Sequence, residues 1–188
     1  MKFYVIAAMD EKRGIAKDGS IPWNIPADMK YFKHKTITIE SASNIQNAVI
    51  MGRKTYDVCK GLTNRYNIVI SKSNTQTYSP DHTVVSSVQE AYDIVKIRQD
   101  IEDVYIIGGQ DIYKEILESG IVPIQTLYIT LIYDDFDCDR FFPDIPSTYK
   151  KTMGKLQTHN GCFYSFDVYT LQKTQLLGDA SSTSQTVS

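Results

Sequence analysis

The sequence predicts a three-layer α/β domain with a mainly parallel central sheet that ends in antiparallel strands. Three observations carry that prediction. Short, continuous apolar and β-branched runs recur along the chain, at Phe3–Met9, Ala48–Gly52, Tyr66–Ser71 and Val104–Ile107; this is the pattern of strands covered on both faces. Stretches with helical character separate them, so strand and helix alternate. Near the end, Phe163–Gln172 alternates as a final strand, and Lys155–His159 precedes it as a hairpin partner. In such sheets ligands bind at the carboxyl ends of the strands, near the point where strand order reverses.

The chain has 188 residues, enough for one domain with a full core and short for two. Its hydrophobic fraction of 42% and charged fraction of 22% are ordinary for a soluble globular protein. A net charge of −2 gives no bulk electrostatic basis for binding nucleic acid or a membrane surface. The three cysteines, Cys59, Cys138 and Cys162, lie far apart, and no Cys/His cluster has metal-ligand spacing. Neither a disulfide framework nor a metal site is expected. The first strand starts almost at Met1, which leaves no room for a signal peptide, and no apolar run could span a bilayer. A reducing, cytoplasmic compartment is the expectation.

After the first strand, Gly14, Asp18-Gly19 and Pro22 mark a loop, and Pro26 suits the first turn of a helix, where no backbone N–H is needed. Ile25, Met29, Phe32 and Thr36 recur at helical spacing and give that helix one largely apolar face. Asp28 shares the face, and a carboxylate there costs free energy unless hydrogen bonds meet it. Residues 37–47 read as a polar surface excursion. Ala48–Gly52 runs into Arg53-Lys54-Thr55-Tyr56, the opening of a short helix. Tyr66–Ser71 is followed by a loop at 72–81 and a short strand at His82–Val85. Ser87 with Glu90 three residues on is a capping-box pattern for a helix to about Arg98. Val104–Ile107 ends in Gly108-Gly109 and turns directly into a helix from Gln110 to Glu118, closed by Gly120. Thr126–Tyr133 is a long strand and Asp134–Phe142 an acidic loop. Residues 1–172 thus form the domain. Residues 173–188 read as a disordered tail or linker remnant, since Leu177–Ser188 carries no apolar period.

Several strand ends suggest chemistry, and each also has a plainer reading. Ala7 and Ala8 would let a flat ring lie against the first strand, or would simply pack the core. Gly52-Arg53-Lys54-Thr55 places two cations at the positive end of a helix, an arrangement that makes more sense with an anion bound. Exposed basic residues at helix starts are nevertheless common. Gly108-Gly109 allows the close backbone approach that a pyrophosphate needs, or is only a tight turn; it is not the usual G-x-G-x-x-G fingerprint. Arg65 could fork onto a carboxylate or sit solvated in its loop. Asp28 could equally be a structural carboxylate tied to backbone donors.

Beyond these separate signals, the chain resembles the dihydrofolate reductases over nearly all its length, from Phe3 to about Leu171. The matching pieces are Ile6-Ala7-Ala8, Ile21 to Phe32 (IPWNIPADMKYF), Val49 to Tyr56 (VIMGRKTY) and Asn64-Arg65. Ile-Gly-Gly-x-x-Ile-Tyr at 107–113, Leu-Tyr-Ile-Thr at 127–130 and Phe-Phe-Pro-Asp at 141–144 complete the set. Each is short, but their order and spacing make the combination specific.

The resemblance implies hydride transfer from nicotinamide C4 of NADPH to C6 of dihydrofolate, with protonation at N5. It implies that Asp28 binds the pterin N3–H and 2-amino group, polarising the ring while a water delivers the proton. Thr130 would hydrogen-bond that acid. Ile6, Ala7, Met29, Phe32, Cys59, Leu62 and Ile107 would line the substrate pocket, and Arg65 would take the α-carboxylate of the glutamate tail. Cys59 stands where many relatives carry a branched aliphatic, and no redox role is expected of it. Ile21, in place of the more usual Met or Leu, and Trp23 would belong to the mobile loop over the nicotinamide. Ala8, Ile15, Gly108, Gly109, Ile112 and Tyr113 would frame the nicotinamide and pyrophosphate. Gly52, Arg53, Lys54 and Thr55 would serve the phosphates, and Ser71 and Lys72 would join Arg53 at the 2′-phosphate. Gln110 and Asp111 depart from the glycine and basic residues of some relatives, and an aspartate near pyrophosphate is unhelpful. The Gly108–Gly109 peptide is cis in the family.

Antifolate inhibitors are the implied second ligand class. The chain alone would be a monomer, or, as in protozoa, a domain fused to thymidylate synthase. Two rivals stand against this reading. One is a related reductase of the same fold acting on a pyrimidine of riboflavin synthesis, against which Asp28, Phe32 and the Pro-Trp loop argue. The other is a catalytically silent binding protein that keeps the pocket.

Overall fold

In a computed structural model of the chain, residues 1–38, 45–73 and 82–172 are described. The first run forms β1 (Phe3–Asp10), followed by β2 (Gly14–Ala16) and α1 (Pro26–Thr36). Next come β3 (Gln46–Gly52), α2 (Arg53–Cys59), β4 (Tyr66–Ile70), β5 (His82–Val85), α3 (Val88–Ile97), β6 (Ile101–Ile106) and α4 (Gln110–Ser119). The chain continues through β7 (Ile124–Ile132), β8 (Arg140–Phe141), β9 (Tyr149–Thr152), β10 (Gln157–His159) and β11 (Cys162–Leu171).

The main sheet has nine strands, with β10-β11-β7-β1-β6-β3-β4-β5 in order and β9 also paired to β11. The pairs β1–β6, β1–β7, β3–β6, β3–β4 and β4–β5 are parallel, whereas β11 runs antiparallel to β7, β9 and β10. This is the α/β architecture expected from the sequence, with the apolar runs at its centre. Val5, Val49, Ile50, Ile68, Val104, Ile106 and Leu127 are fully buried, as strands covered on both faces require. The chain leaves β1 for β3, moves outward to β5, then returns to insert β6 beside β1 before placing β7 on the other side. The carboxyl ends of β1 and β6 therefore meet where strand order reverses.

Some elements differ from the sequence reading. β2 and β8 pair with each other inside stretches read as loop, Gly14 opposite Phe141 and Ala16 opposite Arg140. At three and two residues they are too short to show a period. β9 (YKKT) is equally illegible: Lys150 and Thr152 are exposed, and Lys151 reaches back to pair with the buried Asp167 at 2.8 Å. Gln46 and Asn47 belong to β3 rather than to a surface excursion; Asn47 is buried and donates to the Thr36 carbonyl at 3.2 Å. The expected apolar face of α1 is interrupted. Ile25 and Thr36 are buried, but Met29 is 60% exposed. Ser87 caps α3 by accepting from the Glu90 N–H at 3.1 Å, while the Glu90 carboxylate reaches one residue further back than a capping box, to the Ser86 N–H. The remainder of the expected excursion (39–44), most of the loop at 72–81 and the tail at 173–188 lie outside the described residues.

Candidate active site

The first turns of α1 carry Asp28, opposite the far half of β7. Thr130 on β7 pairs in register with Ala8 on β1, and its hydroxyl donates to Asp28 Oδ1 at 2.6 Å. Burial pushes the Asp28 carboxyl above its ordinary value, and the Thr130 hydrogen bond opposes that shift. Behind β1, the Tyr113 hydroxyl donates to the Ile6 carbonyl at 2.9 Å. Its fully buried position holds it far above the usual tyrosine range, so it stays neutral. Trp23 is buried edge-on to Phe136 with ring centroids 5.3 Å apart, and its indole Nε1 has no hydrogen-bond partner among the described residues. Ile21, two residues earlier, is 56% exposed and lies outside the packed part of the loop.

On one face of the sheet a cluster gathers Ile6, Val49, Met51, Val69 and Tyr105 with Phe32, Cys59, Leu62 and Ile107. Five residues expected around the substrate, Ile6, Phe32, Cys59, Leu62 and Ile107, thus share one apolar wall. Two others do not join it. Ala7 follows Ile6 on the strand and points to the opposite face, where it packs against the cluster that includes Ile112 and Tyr113. Met29 is exposed, because its side of α1 does not rest on the sheet. The Cys59 thiol is raised by burial and lies 3.7 Å from Met51 Sδ, the setting of a packing residue.

Arg65 is not a solvated loop arginine. It is 9% exposed, donates from Nη1 to Thr36 Oγ1 at 2.8 Å and from Nε to the Thr63 carbonyl at 3.1 Å, and stands 6.0 Å from the centre of the Phe32 ring. Asn67, a residue not picked out in the sequence, sets this loop. Its amide accepts from the Leu62 N–H at 2.9 Å and donates to the Leu62 and Arg65 carbonyls, each at 2.9 Å. The signal was present: an asparagine inside an otherwise apolar strand must find partners.

The two glycine-bearing helix starts, separate in sequence, form one cradle. The Gly52 N–H donates to the Gly108 carbonyl at 2.7 Å, and the Gly108–Gly109 peptide is cis. Gly108 has φ of +103°, and a Cβ there would stand 2.8 Å from the Tyr113 ring. A Cβ on Gly109 would lie 3.5 Å from Thr55 Oγ1, which brings the α2 hydroxyl to the start of α4. Side-chain-free backbone at a helix start fits a diphosphate. Other expected cofactor residues are already engaged. Arg53 Nε donates to both carboxylate oxygens of Asp57 at 2.9 Å, Ser71 donates to the Ser73 carbonyl at 3.1 Å, and Gln110 Oε1 accepts from the Phe141 N–H at 2.7 Å. Lys54, Lys72 and Asp111 are exposed.

The loop of residues 10–23 is pinned at its base by Asp10, also missed in the sequence. Only 1% exposed, its carboxylate accepts from Lys12 N–H (2.9 Å), Gly14 N–H (2.6 Å) and Phe136 N–H (3.3 Å). Burial and the Asp10 charge push the neighbouring Cys138 thiol up to about 11. Ion pairs Lys12–Asp135, Lys17–Asp137 and Arg13–Asp144 stitch the outer edge to residues 134–144. Among the described residues, no group of His, Cys, Asp and Glu is placed to hold a metal ion, and no helix is long and apolar enough to cross a membrane.

A half-buried carboxyl beside an apolar wall, with a glycine cradle where strand order reverses, defines a small-molecule site of the α/β class. Comparison with known proteins narrows the class. Residues 2–173 match the family model described as dihydrofolate reductase. A dihydrofolate reductase of Schistosoma mansoni is 34% identical over 195 residues, covering 94% of this chain and 100% of the relative. One of Drosophila melanogaster is 35% identical over 156 residues, covering 80% and 84%. A bifunctional dihydrofolate reductase-thymidylate synthase of Arabidopsis thaliana is 34% identical over 190 residues, covering 95% of this chain and 33% of the relative. The chain belongs to the dihydrofolate reductase family, oxidoreductases of folate metabolism that use a nicotinamide cofactor.

Proposed function

We propose that the chain reduces 7,8-dihydrofolate to 5,6,7,8-tetrahydrofolate with NADPH. The observation that carries the reading is the Asp28–Thr130 pair, a carboxyl held at 2.6 Å by a hydroxyl across the sheet end. Two carboxylate oxygens suit the paired N–H donors of a pterin, as they suit a guanidinium. Thr130 occupies one direction of Oδ1 and restrains rotation of the carboxyl. The apolar wall of Ile6, Phe32, Cys59, Leu62 and Ile107 excludes water from the ring and its aromatic substituent. Arg65, pre-positioned by Thr36 and Thr63, takes the tail carboxylate.

NADPH, when bound, supplies the hydride. The Gly52, Gly108, Gly109 and Thr55 cradle would hold its diphosphate, with Lys54, Lys72 and Arg53 toward the 2′-phosphate. The buried Tyr113 hydroxyl, tied to the Ile6 carbonyl, keeps β1 and the start of α4 at a fixed separation. Asp28 favours the protonated ring electrostatically, while the proton for N5 comes from water admitted beside the loop.

The test follows NADPH absorbance on adding dihydrofolate to the purified protein, with NADH in parallel. Rapid oxidation of NADPH and slow oxidation of NADH are expected. Folded protein that binds both ligands without turnover would overturn the enzymatic reading in favour of a binding protein. The bifunctional relatives support the further reading that such a domain works joined to a thymidylate synthase.

A further inference from the structure

We infer that the Gln110 side chain is a positioning residue that links the glycine cradle to the 10–23 loop, so that a diphosphate seated on Gly108-Gly109 biases where that loop rests. This rests on the cradle's being the diphosphate site. Gln110 is the first residue of α4, directly after Gly109, and its Oε1 accepts from the Phe141 N–H at 2.7 Å. Phe141 is paired with Gly14 in β2, and the next residue, Phe142, donates its N–H to the Arg13 carbonyl at 2.7 Å. The Phe142 ring, 1% exposed, lies 4.8 Å from Tyr113. The β8 segment therefore holds the loop on one edge and α4 on the other. Phe142 supplies the apolar contact to α4 and Gln110 the polar one.

A glycine at position 110 would have no side chain to reach Phe141. The ion pairs on the loop's outer edge face solvent and hold it weakly. An anion at a helix start orders the first turn through its unmatched N–H groups. Ordering that turn fixes the residue whose side chain carries the bond to β8. The link is a coupling free energy, and it is reciprocal: a loop held in place also strengthens binding at the turn.

The chain's single tryptophan, Trp23, lies at the end of this loop, buried against Phe136, and reports on it by fluorescence. The probe is 2′-phospho-ADP-ribose, which carries the diphosphate and lacks the nicotinamide, with binding read separately by calorimetry. Wild type should give heat and a change in Trp23 emission. Gln110→Met keeps the length and loses the acceptor; it should still give heat while the emission change is lost. Gln110→Glu keeps the acceptor and should keep the emission change, but bind about tenfold more weakly as a second carboxylate joins Asp111 at the helix start. Equal emission changes in wild type and Gln110→Met, or heat without any emission change in wild type, would overturn the link alone. No heat in folded wild type would overturn the diphosphate site and the link with it.

Discussion

The Thr130 hydroxyl and the Asp28 carboxyl meet at 2.6 Å across 102 residues of chain, joining the last long parallel strand to the first helix. Because Thr130 donates, it favours the ionised carboxyl against the burial that disfavours it. Thr130→Val removes that support and should move the Asp28 titration to higher pH. The acid limb of the rate–pH profile then shifts upward, and turnover at neutral pH falls by roughly tenfold. Profiles of the two proteins that overlay would show that the hydroxyl does not tune the acid.

Asp28→Asn separates stability from activity. A carboxyl raised in the folded state binds protons that the unfolded chain has already released, so it lowers stability as pH rises from the ordinary carboxylate value through its folded one. The amide cannot ionise and escapes that loss. Thermal melts near neutral pH should show Asp28→Asn no less stable than wild type, while turnover falls by about a hundredfold or more. Parallel loss of both would mark Asp28 as a structural acid.

Arg65 tests the tail. Removing it in Arg65→Ala should raise KM for dihydrofolate by about a hundredfold with kcat little changed, the signature of uniform binding. A reducible pterin without a glutamate tail should be turned over equally by both proteins. The variant also leaves Thr36 Oγ1 without its Arg65 donor, a cost of about 1 kcal/mol in urea unfolding.

Asp10 carries stability rather than chemistry. Asp10→Ala strips the acceptor from the Lys12, Gly14 and Phe136 N–H groups and should cost about 2–4 kcal/mol in chemical denaturation. A loss below about 0.5 kcal/mol would show that water replaces the carboxylate freely.

The central strands, their order of burial and the glycine turns were legible because apolar runs bounded by glycine leave few alternatives. Asp28 stood out as a carboxyl on an apolar face, and the structure gives it the hydrogen-bond partner that such a position demands. What escaped was of two kinds. β2, β8 and β9 are two to four residues long, so pairing across the fold, and no local period, makes them strands. Asp10 and Gln110 act by reaching backbone groups distant in sequence or around a tight loop, and nothing in their neighbours announces it, whereas Asn67 was marked by its apolar strand and passed over. Arg53 shows a contact its motif did not announce: Asp57, one helical turn on, pairs with its Nε. Met29 followed the helical period, yet that period marks a face and not whether the sheet reaches it.

The place of β1 bears on how the molecule comes into being. Both of its neighbours in the sheet, β6 and β7, begin only at Ile101 and Ile124. During synthesis the first strand and the helix bearing Asp28 must wait for nearly two thirds of the domain before either edge of β1 is paired. The middle of the sheet thus closes late, after the β3-β4-β5 side has been made, and contacts of such long sequence separation make for slow folding. A chain interrupted before β7 would hold the acid without its hydroxyl and a central strand with a bare edge, so the crevice and the fold should appear together or not at all.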